Sequence, residues 1–282
     1  MLILSVLFGL STALCWGTAD YIGGTASRRV GAYGMTLGTI SGGLLLLLPI
    51  ALLLHEAPID SSSWLWSMLA GAFDAVGILL LYLAMTSGRL SLVAPVSALT
   101  TATLPVVFGM MTQGIPAANV IIGLFLALAA VWLVSQSAEP VEQGRLRLAD
   151  LRLPLLSGSC LGIFLILMHT GSSEALLWPM VAVRCGGVAT LLLCFRAFKV
   201  APTGGGGLPW SLLALNALLD VGGNGFYILA AQAGRMDVAA VLSALYPGTT
   251  VFLAWLLLKE KIGRQQFAGL FVALGAIVLL AL

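Results

Sequence analysis

The chain is written as a succession of apolar runs, each about 20 residues long, separated by short polar breaks. A run of that length crosses the hydrocarbon core of a bilayer as one helix. Lipid is also the one solvent in which so much apolar surface needs no common core. Composition agrees: 60% of residues are hydrophobic and only 9% are charged, against about 25% charged in a soluble domain. Ten spans are predicted, near 2–22, 32–54, 64–86, 90–111, 117–137, 153–172, 177–197, 208–230, 236–257 and 265–282. The runs are continuously apolar and do not alternate, which excludes a transmembrane β-barrel. The first run lacks a basic leader and a cleavage site and reads as a membrane helix, not a removable signal.

Several function classes drop out. A net charge of +2 over 282 residues gives no basic surface for nucleic acid. Cys15, Cys160, Cys185 and Cys194 lie inside apolar runs without CxxC spacing, and read as small buried residues. With His55 and His169 as the two histidines, no metal set is expected, and no cofactor. The run Gly204 to Gly207 follows no strand and precedes no Lys-Ser/Thr, so it is a loop and not a phosphate cradle. No HExxH, GxSxG or nucleophile–base constellation points to an enzyme.

The two halves of the chain are related. Shifted by 146 positions, the segment from Ala70 meets Asn216 onward without a gap, with about 18 identities in about 65 positions. Asp74 meets Asp220, Gly88-Arg89 meets Gly234-Arg235, and Ser97-Ala98-Leu99 meets Ser243-Ala244-Leu245. Gly123-Leu124-Phe125 meets Gly269-Leu270-Phe271, and a shift of 145 relates Cys15 and Gly17 to Cys160 and Gly162. The expected organisation is a five-helix repeat over 1–137, a charged connection over 138–152 and a second five-helix repeat over 153–282. An odd number of spans per half inserts the second half upside down. Such an inverted repeat is the architecture many secondary transporters use for alternating access; a channel or a non-transporting membrane sensor is the alternative reading, though no selectivity-filter motif is visible. The fold class expected is therefore all-α and polytopic, ten transmembrane helices in two inverted five-helix repeats.

The local text resembles a known family. "ALCWGTADYIGG" (Ala13 to Gly24) is similar to the first-helix motif of the EamA-type branch of the drug/metabolite transporter superfamily. "LLLKEKIGRQQFAGLFVALGAIVLL" (Leu256 to Leu280) is similar to its closing motif, and Arg184 in "PMVAVRCGG" resembles an intramembrane arginine that family often carries. The resemblance covers the whole chain, with one departure in the motif. The first repeat has Gln113-Gly114 where the second has Lys259-Glu260. It implies a multi-pass inner-membrane carrier, commonly an exporter or exchanger, for a small-molecule solute. The expected partners are that solute and the lipid bilayer, with proton coupling and a homodimer as further expectations. Loop charges place Arg28, Arg29, Arg89, Arg145, Arg147, Arg152, Arg196, Lys199, Lys259, Lys261 and Arg264 on one face. The positive-inside rule makes that face cytoplasmic and puts both termini outside, whereas the family is described with its termini inside.

An ionisable side chain at mid-membrane costs about 2.5–3.5 kcal/mol, so it faces protein or water and marks a functional candidate. Asp74 and Asp220 sit mid-span as repeat mates, where substrate and coupling-ion sites of inverted repeats lie. Either can take a proton or hold a cation, and burial raises a carboxylate's pKa toward neutrality. Asp220 can instead be the structural partner of Arg184, which could otherwise grip a substrate carboxylate. Asn224 and Tyr227 follow Asp220 at helical spacing and share its face; Tyr82 follows Asp74 by eight. Asp20 lies late in the first span, one turn past Trp16, and either lines the cavity or sits at the interface near Arg28; the Trp16 indole either stacks on a planar or cationic solute or belongs to the interfacial belt. Ser97, Thr100, Thr101, Ser243 and Tyr246 add hydroxyls on the fourth and ninth spans, beside Pro95, Pro105 and Pro247, which can kink them. His169 is either a relay or a hydrogen-bonded structural group. Gly34, Gly38 and Gly42 form a ridge for close helix packing, within the chain or between copies. If Asp20, Asp74 and Asp220 are all ionised against Arg184, the cavity is net negative, which suits proton coupling or a cationic or zwitterionic solute such as an amine or amino acid.

Overall fold

The computed structural model describes residues 2–86, 90–134, 148–172, 175–198, 210–258 and 263–281. The connection 138–147, Gly204 to Gly207, Lys199, Arg89 and the Lys259-Glu260-Lys261 motif lie outside the described residues. Within them the chain is helical throughout: α1 (Leu2–Val30), α2 (Ala32–Leu54), α3 (Ser61–Thr86), α4 (Leu90–Thr112), α5 (Ala118–Val134), α6 (Leu148–Gly171), α7 (Leu177–Phe198), α8 (Trp210–Ala233), α9 (Met236–Ser243), α10 (Tyr246–Leu258) and α11 (Arg264–Ala281). Among the described residues, seven helical stretches are long and apolar enough to cross a membrane. Three shorter apolar helices, Val96–Thr112, Ala118–Val134 and Arg264–Leu280, accompany them. The interior is mostly apolar, yet large apolar side chains also cover the outside and several polar ones are enclosed. Leu45, Leu53, Met111 and Phe125 are exposed, while Arg184, Asn216 and Asp237 are fully buried. That arrangement is stable only where the surrounding solvent is lipid.

Three boundaries differ from the sequence expectation. The first helix runs two turns past residue 22. Gly23 and Gly24 do not end it; they let it approach Tyr82 and Met85 of α3, since a Cβ on Gly23 would overlap the Tyr82 ring. Arg28 and Arg29 occupy its last turn, where a cation meets the negative helix end. It stops at Gly31, whose φ of 84° suits glycine. The sixth helix reaches back to Leu148. The ninth span is broken: α9 ends at Ser243 and α10 starts at Tyr246. Pro247 has no N–H to offer the Ser243 carbonyl, and Leu245 N bonds Leu242 O at 3.2 Å in a tighter turn.

The repeat is written into the packing. α1 packs on α8 as α6 packs on α3, and α5 lies along α11. A Cβ on Gly223 would strike Trp16, and one on Gly77 would strike Leu161; the two contacts are related by the sequence shifts of 146 and 145. Gly123 meets Leu279 and Leu280, while Gly269 meets Leu133 and Val134, again mate for mate. The ridge on α2 is used within the chain: Gly38 faces Leu213 and Gly42 faces Ala217 of α8.

One end of the bundle is tied between repeats. The Glu56 carboxylate accepts hydrogen bonds from Leu176 N (2.9 Å), Leu177 N (2.8 Å) and Trp178 N (2.9 Å), capping α7 from the α2–α3 loop. Trp178 Nε1 donates to the Glu56 carbonyl at 2.9 Å. Nearby, Arg235 Nη2 donates to Gly114 O at 2.8 Å and pairs with Asp237 at 2.8 Å. Gln113 Oε1 accepts from Met236 N at 3.3 Å. Asp60 caps α3 at the same end. Hydrogen bonds from the Ser63 and Ser62 hydroxyls, aided by their backbone amides, hold its carboxyl down to about 2.

Candidate functional site

Helical spacing builds the centre. On α8, Asn216, Asp220, Asn224 and Tyr227 recur every three or four residues and are all buried. From α7, Arg184 enters between α3 and α8 with no exposed surface at all. Its Nη1 lies 2.6 Å from Asp220 Oδ2 and 3.6 Å from Asp74 Oδ2. α3 and α7 come close enough for this because Gly71 and Gly186 oppose the backbone carbonyls of Val183 and Met68, where any Cβ would overlap. Gly43 of α2 leaves space beside the guanidinium.

Asp20, Asp74 and Asp220 line a common cavity of about 50 Å³, with Trp16, Thr101 and Tyr246 around it. A volume of that size has room for a few water molecules and no more. Arg184 is not on the cavity wall; it lies behind the two aspartates it pairs with. Trp16 is fixed by its partners. Its Nε1 donates to Asn224 Oδ1 at 3.1 Å, and its ring stacks on Tyr227 with centroids 6.1 Å apart. Tyr227 in turn donates its hydroxyl to Leu165 O at 3.1 Å.

The structure gathers most of the sequence candidates at this centre. Trp16, Asp20, Asp74, Asp220 and Tyr246 form the wall; Asn224, Tyr227 and Arg184 stand one layer behind it. Tyr82 is buried between α1 and α3, against Gly23. Ser97 and Ser157 share a hydrogen bond at 3.3 Å where α4 meets α6, and Ser157 donates to Gly77 O at 2.9 Å. His169, two residues from the end of α6, is not brought to the cavity. Leu81, Leu161, Phe164 and Leu165 also line the cavity and had no signal as isolated apolar residues. The repeat could have found three of them, because Leu81, Leu161 and Leu165 are the register mates of Tyr227, Trp16 and Asp20. The end-tying roles of Glu56 and Arg235 also escaped sequence reasoning, since both depend on contacts more than 100 residues apart.

A solved crystal structure superposes on this chain with a TM-score of 0.76 over 98% of it and 95% of the other, at 14% identity, which is a likeness of fold. The search of curated proteins returns no match. The family model for the EamA-like transporter family matches residues 3–136 and again residues 151–282, one match to each half of the repeat. A multi-pass helical protein whose two halves each match that model, and whose buried contacts repeat between the halves, belongs to the EamA-like transporter family.

Proposed function

We propose that this chain is a secondary transporter for a small organic cation, working by alternating access of ten spans arranged as two inverted five-helix repeats. Family membership supports a membrane transporter of small solutes. The observation that carries the finer reading is the charge on the cavity wall. Three carboxylates face the space, while Arg184 is spent on two of them from behind. One positive charge against three leaves a deficit that a cationic solute, protons, or both in turn can fill. A zwitterion would need a cation on the wall for its carboxylate, and Arg184 is not placed there. Exchange follows from the same deficit: cation and proton compete for the carboxylates, and the proton gradient across the inner membrane drives export.

Protein in lipid nanodiscs tests this by calorimetry. Alkylammonium ions are expected to bind with release of protons, seen as a heat that changes with the buffer's ionisation enthalpy. Asp20→Asn and Asp220→Asn are expected to weaken binding at least tenfold. Preferential binding of phosphosugars or simple carboxylates would overturn the cation reading.

A further inference from the structure

The repeat doubles the frame of the cavity without doubling its chemistry. At four registers the α1/α8 pair carries Trp16, Asp20, Asn224 and Tyr227; the α6/α3 pair carries Leu161, Leu165, Ile78 and Leu81 at the corresponding positions. The backbone setting is equivalent, since Gly223 receives Trp16 as Gly77 receives Leu161. The difference therefore lies in the side chains and not in the fold. On one wall stand Trp16 and Asp20, with Asn224 and Tyr227 holding the indole by a hydrogen bond and a ring contact. On the other, Ile78, Leu81, Leu161 and Leu165, with Phe164, offer carbon to the same space. Asp220 and Asp74 stand between them, tied to Arg184.

A wall without donors or acceptors penalises any solute group that needs them. It rewards an apolar limb in proportion to the area withdrawn from water. A fixed indole beside a carboxylate suits a cationic head. We infer that the substrate is an amphiphilic organic cation bound in one orientation. Its ammonium-type head lies against Asp20 and Asp220 beside Trp16, and its apolar limb lies against Ile78, Leu81, Leu161 and Leu165. This rests on the cation reading above and adds the limb, its subsite and its direction. A small, strongly hydrated cation, or one with polar groups at both ends, leaves the apolar wall without a complement.

The test uses the full chain in nanodiscs and a series of primary n-alkylammonium ions from ethyl to hexyl. Wild-type affinity is expected to rise about three- to fourfold per methylene until the limb fills the cavity. Ile78→Asn, which installs the residue of the mate register, is expected to flatten that rise while ethylammonium still binds. Leu161→Ala is expected to move the end of the rise to a longer chain, and carries the test alone if the asparagine variant does not fold. A wild-type slope in Ile78→Asn, or a rise that ends at the wild-type chain length in Leu161→Ala, would place the effect in the bilayer and overturn the inference. If ethylammonium binds and responds to Asp20→Asn but chain length has no effect, the limb subsite falls and the cation reading stands. If no alkylammonium binds, both fall.

Discussion

Arg184 decides how the centre of this molecule is held. A guanidinium buried in a membrane bundle persists because two carboxylates meet it, at 2.6 and 3.6 Å, and because Gly43 of α2 leaves room beside it. Arg184→Met leaves both aspartates without a counter-charge, a loss of about 3–5 kcal/mol for a broken buried pair. The expected outcome is a markedly lowered thermal midpoint of the purified protein, with partial recovery when Asp74→Asn and Asp220→Asn are added. No recovery in the triple variant would mean that the arginine acts by packing and not by charge. Glycines give a second comparison at this scale. Gly71→Ala drives a Cβ into the Val183 backbone carbonyl, whereas Gly275→Ala has nothing within 4 Å. The first should cost about 1–3 kcal/mol and the second almost nothing, as read from midpoints measured side by side. At the residue scale the sequence was informative about charge, because an aspartate or arginine in an apolar run has few places to go. It was silent about Leu81, Leu161 and Leu165, because a leucine in a membrane helix faces lipid, core or cavity with the same letter.

At the scale of elements, the long helices were legible because membrane-length apolar runs permit little else. Their ends were not. α1 passes its own Gly-Gly pair because the pair serves a tertiary approach to α3. The ninth span breaks at Ala244–Leu245, upstream of Pro247, an outcome that the proline alone suggested only as a kink. Loop partners were equally hidden. Glu56 reads as one more interfacial acid until its carboxylate is found on three amides at the start of α7. Glu56→Gln should lower stability by about 1 kcal/mol through the weakened cap. It should also speed amide exchange at Leu176, Leu177 and Trp178; unchanged exchange there would remove the cap from the account. Arg235 ties the α8–α9 turn to the carbonyls of Gln113 and Gly114 in the other repeat. Its loss in Arg235→Ala should open this end of the bundle more often and raise the reactivity of a cysteine placed in the cavity from that side.

The whole molecule is a doubled frame with unlike contents. Pairs such as Gly77–Leu161 with Gly223–Trp16, and Gly123–Leu280 with Gly269–Val134, show the duplication in contacts as well as in letters. A frame of two matched halves has two matched ways of closing, and transport would be the passage between them. The described state is tied at the end that holds Glu56, Gln113 and Arg235, and its cavity of about 50 Å³ is too small for an organic solute without movement of the walls. The central claim is that this cavity opens in turn to each side of the membrane. It is tested most directly by Thr101→Cys, a small change on the cavity wall, in a background with Cys15, Cys160, Cys185 and Cys194 replaced. The protein is reconstituted in one orientation and treated with a membrane-impermeant thiol reagent from either side. The account predicts labelling from both sides, slowed by bound alkylammonium; labelling from one side alone, however long the exposure, would contradict it.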